Sequence, residues 1–154
     1  MQQFIATVTW ARGTQAFADN RYSRAHEWRF DGGLAVPASS SPHSVPLPMS
    51  DPAAVDPEEA LVAAVSSCHM LFFLSIAAQR SLIVDSYRDE PVGILDRDGD
   101  GKMAMTRITL APAIVFCGER QPTAEELDAI HHSAHEKCYI ANSIKAEVII
   151  KGAS

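Results

Sequence analysis

The chain has 154 residues, 47% of them hydrophobic and 21% charged, which is enough for one domain to bury a core unaided and excludes disordered and fibrous classes. A formal net charge of −6 leaves no electrostatic footprint for nucleic acid or an anionic membrane surface. Three cysteines, Cys68, Cys117 and Cys138, are too few and odd in number for a disulfide scaffold, and no basic and apolar leader opens the chain, so a single domain over 1–154 in a reducing cytoplasm is expected.

Phe4, Ala6, Val8 and Trp10 alternate with Ile5, Thr7 and Thr9, the period-two signal of a first strand. Tyr22, Arg24, His26, Trp28 and Phe30 repeat it, and Asp31-Gly32-Gly33 ahead of Leu34-Ala35-Val36 predicts a hairpin turn. The proline- and serine-rich stretch 37–48 lacks the donors of a strand or helix. It is long for an idle connector, so a loop tied down beside a site is expected.

Asp56-Pro57-Glu58-Glu59 is a helix start, with Asp as N-cap, Pro at the first helical position and carboxylates at the positive end of the dipole. The helix should run to about Arg80. No Asp, Glu, Lys or Arg occurs from Ala60 to Ala78, so a membrane span is the competing reading. The interspersed Ser66, Ser67, His69 and Ser75 and the many alanines favour a central helix buried by its own sheet and by a second subunit.

Strands are expected around Ile83–Tyr87 and from Met103 to Val115, the latter interrupted by Pro112. Between them, Asp96, Asp98, Asp100 and Gly101 match the first half of a calcium loop, but Arg107 stands where the bidentate Glu is required, and a tight hairpin turn is the default. Thr123 and Glu126 form a capping box for a second helix, in which Leu127, Ile130, Ala134 and Cys138 share one face. Lys145 to Lys151 closes the chain as a strand.

Most cysteines merely fill space. Cys68 differs in lying mid-helix among small residues, where other groups can approach, and its reactivity would need a cation from elsewhere. Arg21 and Arg24 are the nearest candidates in sequence. His131, His135 and Cys138, at spacings of four and three, pose a zinc alternative, with His132 as a solvent-facing flank. Cys117, beside Gly118, reads as a bystander.

These residues carry a resemblance. Asp56-Pro57-Glu58-Glu59 through Ser66-Ser67-Cys68, and His135-Glu136-Lys137-Cys138-Tyr139-Ile140-Ala141-Asn142-Ser143 with Lys145-Ala146-Glu147-Val148, resemble the two signatures of the OsmC/Ohr family, the osmotically inducible and organic hydroperoxide resistance proteins. The resemblance implies an α+β, OsmC-like fold with antiparallel sheets packed on two central helices in an intertwined homodimer. It implies reduction of organic hydroperoxides, with regeneration by a dithiol reductant such as a lipoyl protein or a small thiol, and it calls for no cofactor or metal. Carried over by position, Cys68 is the peroxidatic cysteine, Cys138 the resolving one, Arg24 the activating cation with Arg21 as alternative, and Glu58 the carboxylate that orients it. Tyr139 stands where the family usually has Pro, and His69 where Phe is common, marking a divergent subfamily.

Glu58 and Cys68 are ten positions apart on one helix, a separation of roughly 15 Å at 1.5 Å per residue, so one arginine cannot touch both within the same chain. A site composed across a dimer interface is expected, with Glu58 and Arg24 of one subunit facing Cys68 and Cys138 of the other. The rival functional reading is a non-catalytic carrier of a hydrophobic ligand on the same fold.

Overall fold

The computed structural model describes residues 1–152. The chain is α+β and divides into two compact units, Met1–Ala60 and a second beginning at Leu61.

The first unit is a three-stranded antiparallel sheet of β1 (Ala6–Thr9), β2 (His26–Phe30) and β3 (Ala35–Ala38), in the order β1-β2-β3. The predicted turn closes β2 on β3: Gly33 sits at φ 87°, a left-handed backbone that glycine adopts without strain, and Phe30 N–H donates to Leu34 O at 2.9 Å. The strand expected from Tyr22 starts only at His26, because the preceding residues are folded into a loop that bonds to itself. Pro37 is tolerated within β3 because β3 is an edge strand. The long loop that follows is tied down as expected: Arg24 N–H donates to Met49 O at 2.7 Å, Asp51 N–H to Ser39 Oγ at 3.0 Å, and Ser39 N–H to Val55 O at 3.0 Å.

Helix α1 (Pro57–Gln79) begins as its sequence requires, with Asp56 Oδ1 accepting from Glu59 N–H at 2.7 Å. It ends at Ser81, whose φ of 57° fills the left-handed position usually given to glycine, with Leu82 N–H donating back to Ala77 O at 3.0 Å. In the second unit α1 is followed by β4 (Ile83–Arg88), β5 (Val92–Arg97), β6 (Met103–Leu110), β7 (Ala113–Cys117), α2 (Ala124–Lys137) and β8 (Glu147–Ile150). The segment expected as one strand from Met103 to Val115 is two strands serving different sheets, since β6 lies between β5 and β8 while β7 pairs with β4. Pro112 is the break. Strand β5 was not expected, and β8 joins β6 in parallel.

The Asp-rich segment is the β5–β6 hairpin turn: Asp98 Oδ1 accepts from Asp100 N–H and Lys102 N–H, both at 2.9 Å, and Arg97 Nη1 donates to Gly101 O at 2.7 Å. Helix α2 carries the predicted capping box, Glu126 N–H to Thr123 Oγ1 at 3.2 Å and Thr123 N–H to Glu126 Oε2 at 3.1 Å.

Two apolar clusters flank α1 in this unit. Phe73, Ile76 and Ala77 pack with Leu82, Ile130 and Ala134 against β4 and β7. Val65 packs with Ile108 and Leu110, supported by Val62, Met105, Val148 and Ile150. Gly93 of β5 crosses α1 so closely that a Cβ there would lie 2.5 Å from Val62 Cγ2 and 2.8 Å from Met105 Sδ. The helix is long and apolar enough to cross a membrane, yet it alternates a buried stripe (Val65, Ser66, His69, Phe73, Ile76, Ala77) with an exposed one (Ala63, Ser67, Leu71, Ser75).

Candidate functional site

Cys68 is half-buried on α1, and Cys138 is buried at the C-terminal cap of α2. Seventy residues apart in sequence, the two thiols are neighbours, close enough for Cys68 to help raise the Cys138 thiol. Helix α2 stops at Lys137, so Cys138 takes an extended conformation (φ −67°, ψ 107°) instead of continuing the helical stripe. The chain then folds around its sulfur: Ala141 N–H donates to Cys138 Sγ at 3.4 Å and Asn142 N–H to Cys138 O at 3.0 Å. Burial, then the neighbouring Cys68, pushes the Cys138 thiol up to about 11, so Cys138 keeps its proton at neutral pH. All three cysteines are free, and Cys117 lies exposed at the end of β7.

Beside the thiols is a buried polar network that sequence periodicity did not pair. His69 Nε2 and His131 Nδ1 are 3.0 Å apart. Burial, then the neighbouring imidazoles of His131 and His135, pulls His69 down to about 4, and burial also lowers His131. The pair is therefore neutral above mildly acidic pH, one ring nitrogen donating to the other. Asp89 ties α1 to the corner before β7, accepting from Ser66 Oγ at 2.5 Å and from Ala111 N–H at 2.8 Å. The zinc alternative does not assemble: His131 is committed to His69 and Cys138 to Cys68, and among the described residues no group of three or more His, Cys, Asp or Glu can hold a metal ion. His132 faces solvent, 3.4 Å from Glu136.

Arg24 and Glu58 belong to the first unit. The Arg24 guanidinium stacks 3.6 Å over the Tyr22 ring, donates to Tyr22 O, and reaches Asn20 Oδ1 at 2.8 Å and Asn20 O at 3.2 Å. Asn20 sits at φ 60°, a conformation asparagine tolerates better than most residues. Glu58 is half-buried and makes no ion pair among the described residues. Arg21 is exposed. Around Arg24 the unit forms an open cavity of about 490 Å³, walled by Val8, Trp10, Phe17, Tyr22, Val45 and Pro57, with His26, Ser39 and Ser40 as its other polar lining. Trp10, Phe17 and Tyr22 are in mutual contact, Phe17 and Tyr22 stacked with ring centroids 4.6 Å apart.

The two neighbouring thiols and Arg24 are the parts the sequence signatures anticipated as chemistry. Residues 50–151 match the family of OsmC-like proteins. The chain belongs to that family. This OsmC-like protein is similar over 98% of its length to an OsmC-like protein of unknown function from Vibrio cholerae, at 54% identity with 99% of that chain covered and a TM-score of 0.96. The same fold recurs in an OsmC-like protein from Mycoplasma pneumoniae (12% identity, 97% of this chain and 95% of that one, TM-score 0.71). It recurs also in an organic hydroperoxide resistance protein from Elizabethkingia anophelis (15% identity, 98% and 94%, TM-score 0.70). None of the curated proteins matches the sequence.

Asp89, and the pairing of His69 with His131, are what sequence reasoning missed in this OsmC-like protein. The only signal for the pair was polarity within apolar runs: His69 in the stretch Ala60–Ala78, which has no Asp, Glu, Lys or Arg, and His131 beside Ile130.

Proposed function

We propose that this OsmC-like protein is a cytoplasmic thiol peroxidase that reduces organic hydroperoxides. The single observation that carries the proposal is the proximity of the free Cys68 and Cys138 thiols. Two cysteines in a working dithiol centre must come within about 4 Å at Cβ to close a disulfide, and only a folded chain brings positions 68 and 138 together.

Cys138, buried and held protonated, suits the resolving role, and Cys68 is the proposed nucleophile. The Cys68 thiolate attacks the distal peroxide oxygen, the O–O bond breaks, and the alkoxide leaves as the alcohol after taking up a proton. The sulfenic acid on Cys68 condenses with the Cys138 thiol, releasing water and forming the Cys68–Cys138 disulfide. An external dithiol, a lipoyl group or small thiol, takes the disulfide back to two thiols and is itself oxidised to a disulfide. Arg24 is the cation that stabilises the thiolate and the developing alkoxide, oriented by Glu58.

In the proposed assembly Arg24 and Glu58 come from a second copy of the chain. Exposed apolar side chains support a homodimer. All four residues of β1 are exposed, as are Phe4, Ile5 and Leu34, and α1 shows the uncharged stripe Ala63, Ser67, Leu71 and Ser75. Small residues in such a stripe let two helices approach closely.

Peroxide consumption coupled to a dithiol tests the reading. Wild-type protein is expected to turn over an alkyl hydroperoxide, with Cys68→Ser lowering the rate by about a thousandfold or more. Equal rates for wild type and Cys68→Ser would refute it. The aromatic cavity favours one other reading, a non-catalytic carrier of hydrophobic ligands, for which thiols inert to peroxide would be the signature.

A further inference from the structure

Helix α1 meets α2 and the chain that continues it along two adjacent faces. Residues four apart on a helix share a face, so Cys68 and Phe72 point one way, and His69 and Phe73 another. On the second face, Phe73 and Ile76 share a buried cluster with Ile130 and Ala134, and His69 meets His131. On the first face, Cys68 is beside Cys138, and the Phe72 and Tyr139 rings meet edge to face, centroids 5.1 Å apart at 87°. Cys138 therefore stands in sequence between two residues, His131 and Tyr139, that are both held by side chains flanking Cys68.

The two contacts differ in kind. His69 and His131 are 1% and 2% exposed, their nitrogens 3.0 Å apart and their ring planes within 8° of each other, with Phe73 against the His131 ring at 4.7 Å. Hydrophobic packing is non-directional, whereas this hydrogen bond fixes one register of α2 on α1, because breaking it strands a ring nitrogen in a dry core. Tyr139 is 72% exposed, so its contact with Phe72 acts on the residue next to Cys138 and adds little to the core. The backbone around Cys138 has left the helix, and the bonds from Ala141 N–H to its sulfur and from Asn142 N–H to its carbonyl shape that turn without tying it to α1.

We propose that the His69–His131 bond and the Phe72–Tyr139 contact form a two-point brace that holds Cys138 against Cys68, making His69, His131, Phe72 and Tyr139 positioning residues for closure of the disulfide. Each contact acts through the thiols, by raising the effective concentration of one at the other. That the disulfide serves peroxide reduction rests on the peroxidase proposal; the brace is a property of the thiol pair itself.

Equilibration with glutathione reads the brace without any peroxide. Oxidised glutathione takes the two protein thiols to the Cys68–Cys138 disulfide and is itself reduced to two molecules of glutathione. The equilibrium constant, in molar units, is the effective concentration of the pair. The full-length Cys117→Ser protein, which lacks the exposed third thiol, serves as the parent, and the oxidised fraction is counted by alkylation and mass analysis across glutathione ratios. His131→Leu should lower the effective concentration about tenfold, as loss of one buried hydrogen bond predicts. Tyr139→Ala should lower it about three- to tenfold, the worth of one aromatic pair, and being an exposed position it keeps the test open if the buried histidine variant fails to fold. His131→Asn, whose amide can stand where Nδ1 stands, should restore most of the loss. Ile76→Val, which thins the same core without touching either contact, should leave the value within about twofold, which separates positioning from general loosening. An unchanged value in Tyr139→Ala, an equal fall in Ile76→Val, or mixed glutathione disulfides in place of the Cys68–Cys138 bond in the parent overturns the inference. A lowered effective concentration in the variants with no peroxide turnover in the wild type would sink the peroxidase proposal and leave the brace standing; turnover with no effect of the variants on the equilibrium would do the reverse.

Discussion

Cys138 and His69 carry opposite protonation preferences within one core, and both bear on stability. Cys138 is held protonated, up to about 11 against an ordinary 9.0. Its contribution is present below pH 9 and lost as pH rises from 9 toward 11, because the unfolded chain ionises there and the folded one does not. His69 runs the other way. Its folded value is depressed from 6.5 to about 4, so stability is unaffected above pH 6.5 and falls as pH drops through that window, the unfolded chain binding the proton first. The full difference is on the order of 3 kcal/mol for His69 alone. Urea midpoints at pH 7.5, 5.5 and 4.5 should therefore decline stepwise, and His69→Phe should flatten the decline. At Gly93, substitution to Ala should cost about 1–3 kcal/mol, because the new methyl meets Val62 and Met105; a thermal melt within one degree of wild type would contradict that packing.

Helix ends were the most legible elements, because capping is local chemistry. Asp56-Pro57 and the Thr123–Glu126 box start helices where the sequence puts them. Thr123→Ala should cost about 1 kcal/mol of stability, seen as a lower urea midpoint. The end of α1 is less economical: Ser81 is held at φ 57°, and Ser81→Gly should gain about 1 kcal/mol by relieving the left-handed strain. The strands were less legible. Met103–Leu110 and Ala113–Cys117 form one hydrophobic run, and nothing local to it says that its halves pair with different partners. Strand β5 was hidden because Gly93 and Pro91 weaken its signal, although the close passage over α1 is what makes Gly93 necessary. Of the proposed site residues, the two thiols and Arg24 could be singled out from motif order. The contacts that link Ser66 to Asp89 and His69 to His131 span 23 and 62 positions and are set by packing, which no period reveals.

At the scale of the whole molecule, a chain with net charge −6 leaves Phe4, Ile5 and Val8 at its first strand and an uncharged helical stripe exposed. Soluble monomers rarely leave large contiguous apolar patches uncovered, and in the proposed homodimer a second copy would supply the cover as well as the Arg24 and Glu58 proposed for the Cys68 site. Sedimentation should give twice the 16.7 kDa chain mass, and Leu71→Glu, which places a charge on the stripe, should dissociate the dimer and abolish turnover together. A monomer with full activity would remove the composite site. The most direct test of the account is intact-mass analysis of the reduced protein after one equivalent of an organic hydroperoxide, with Cys68→Ser and Cys138→Ser alongside. The expected result is loss of about 2 Da in the wild type, mapped to a Cys68–Cys138 disulfide, no change in Cys68→Ser, and a gain of about 16 Da or more in Cys138→Ser as the sulfenic acid goes unresolved. Wild-type protein that keeps both thiols reduced would contradict it.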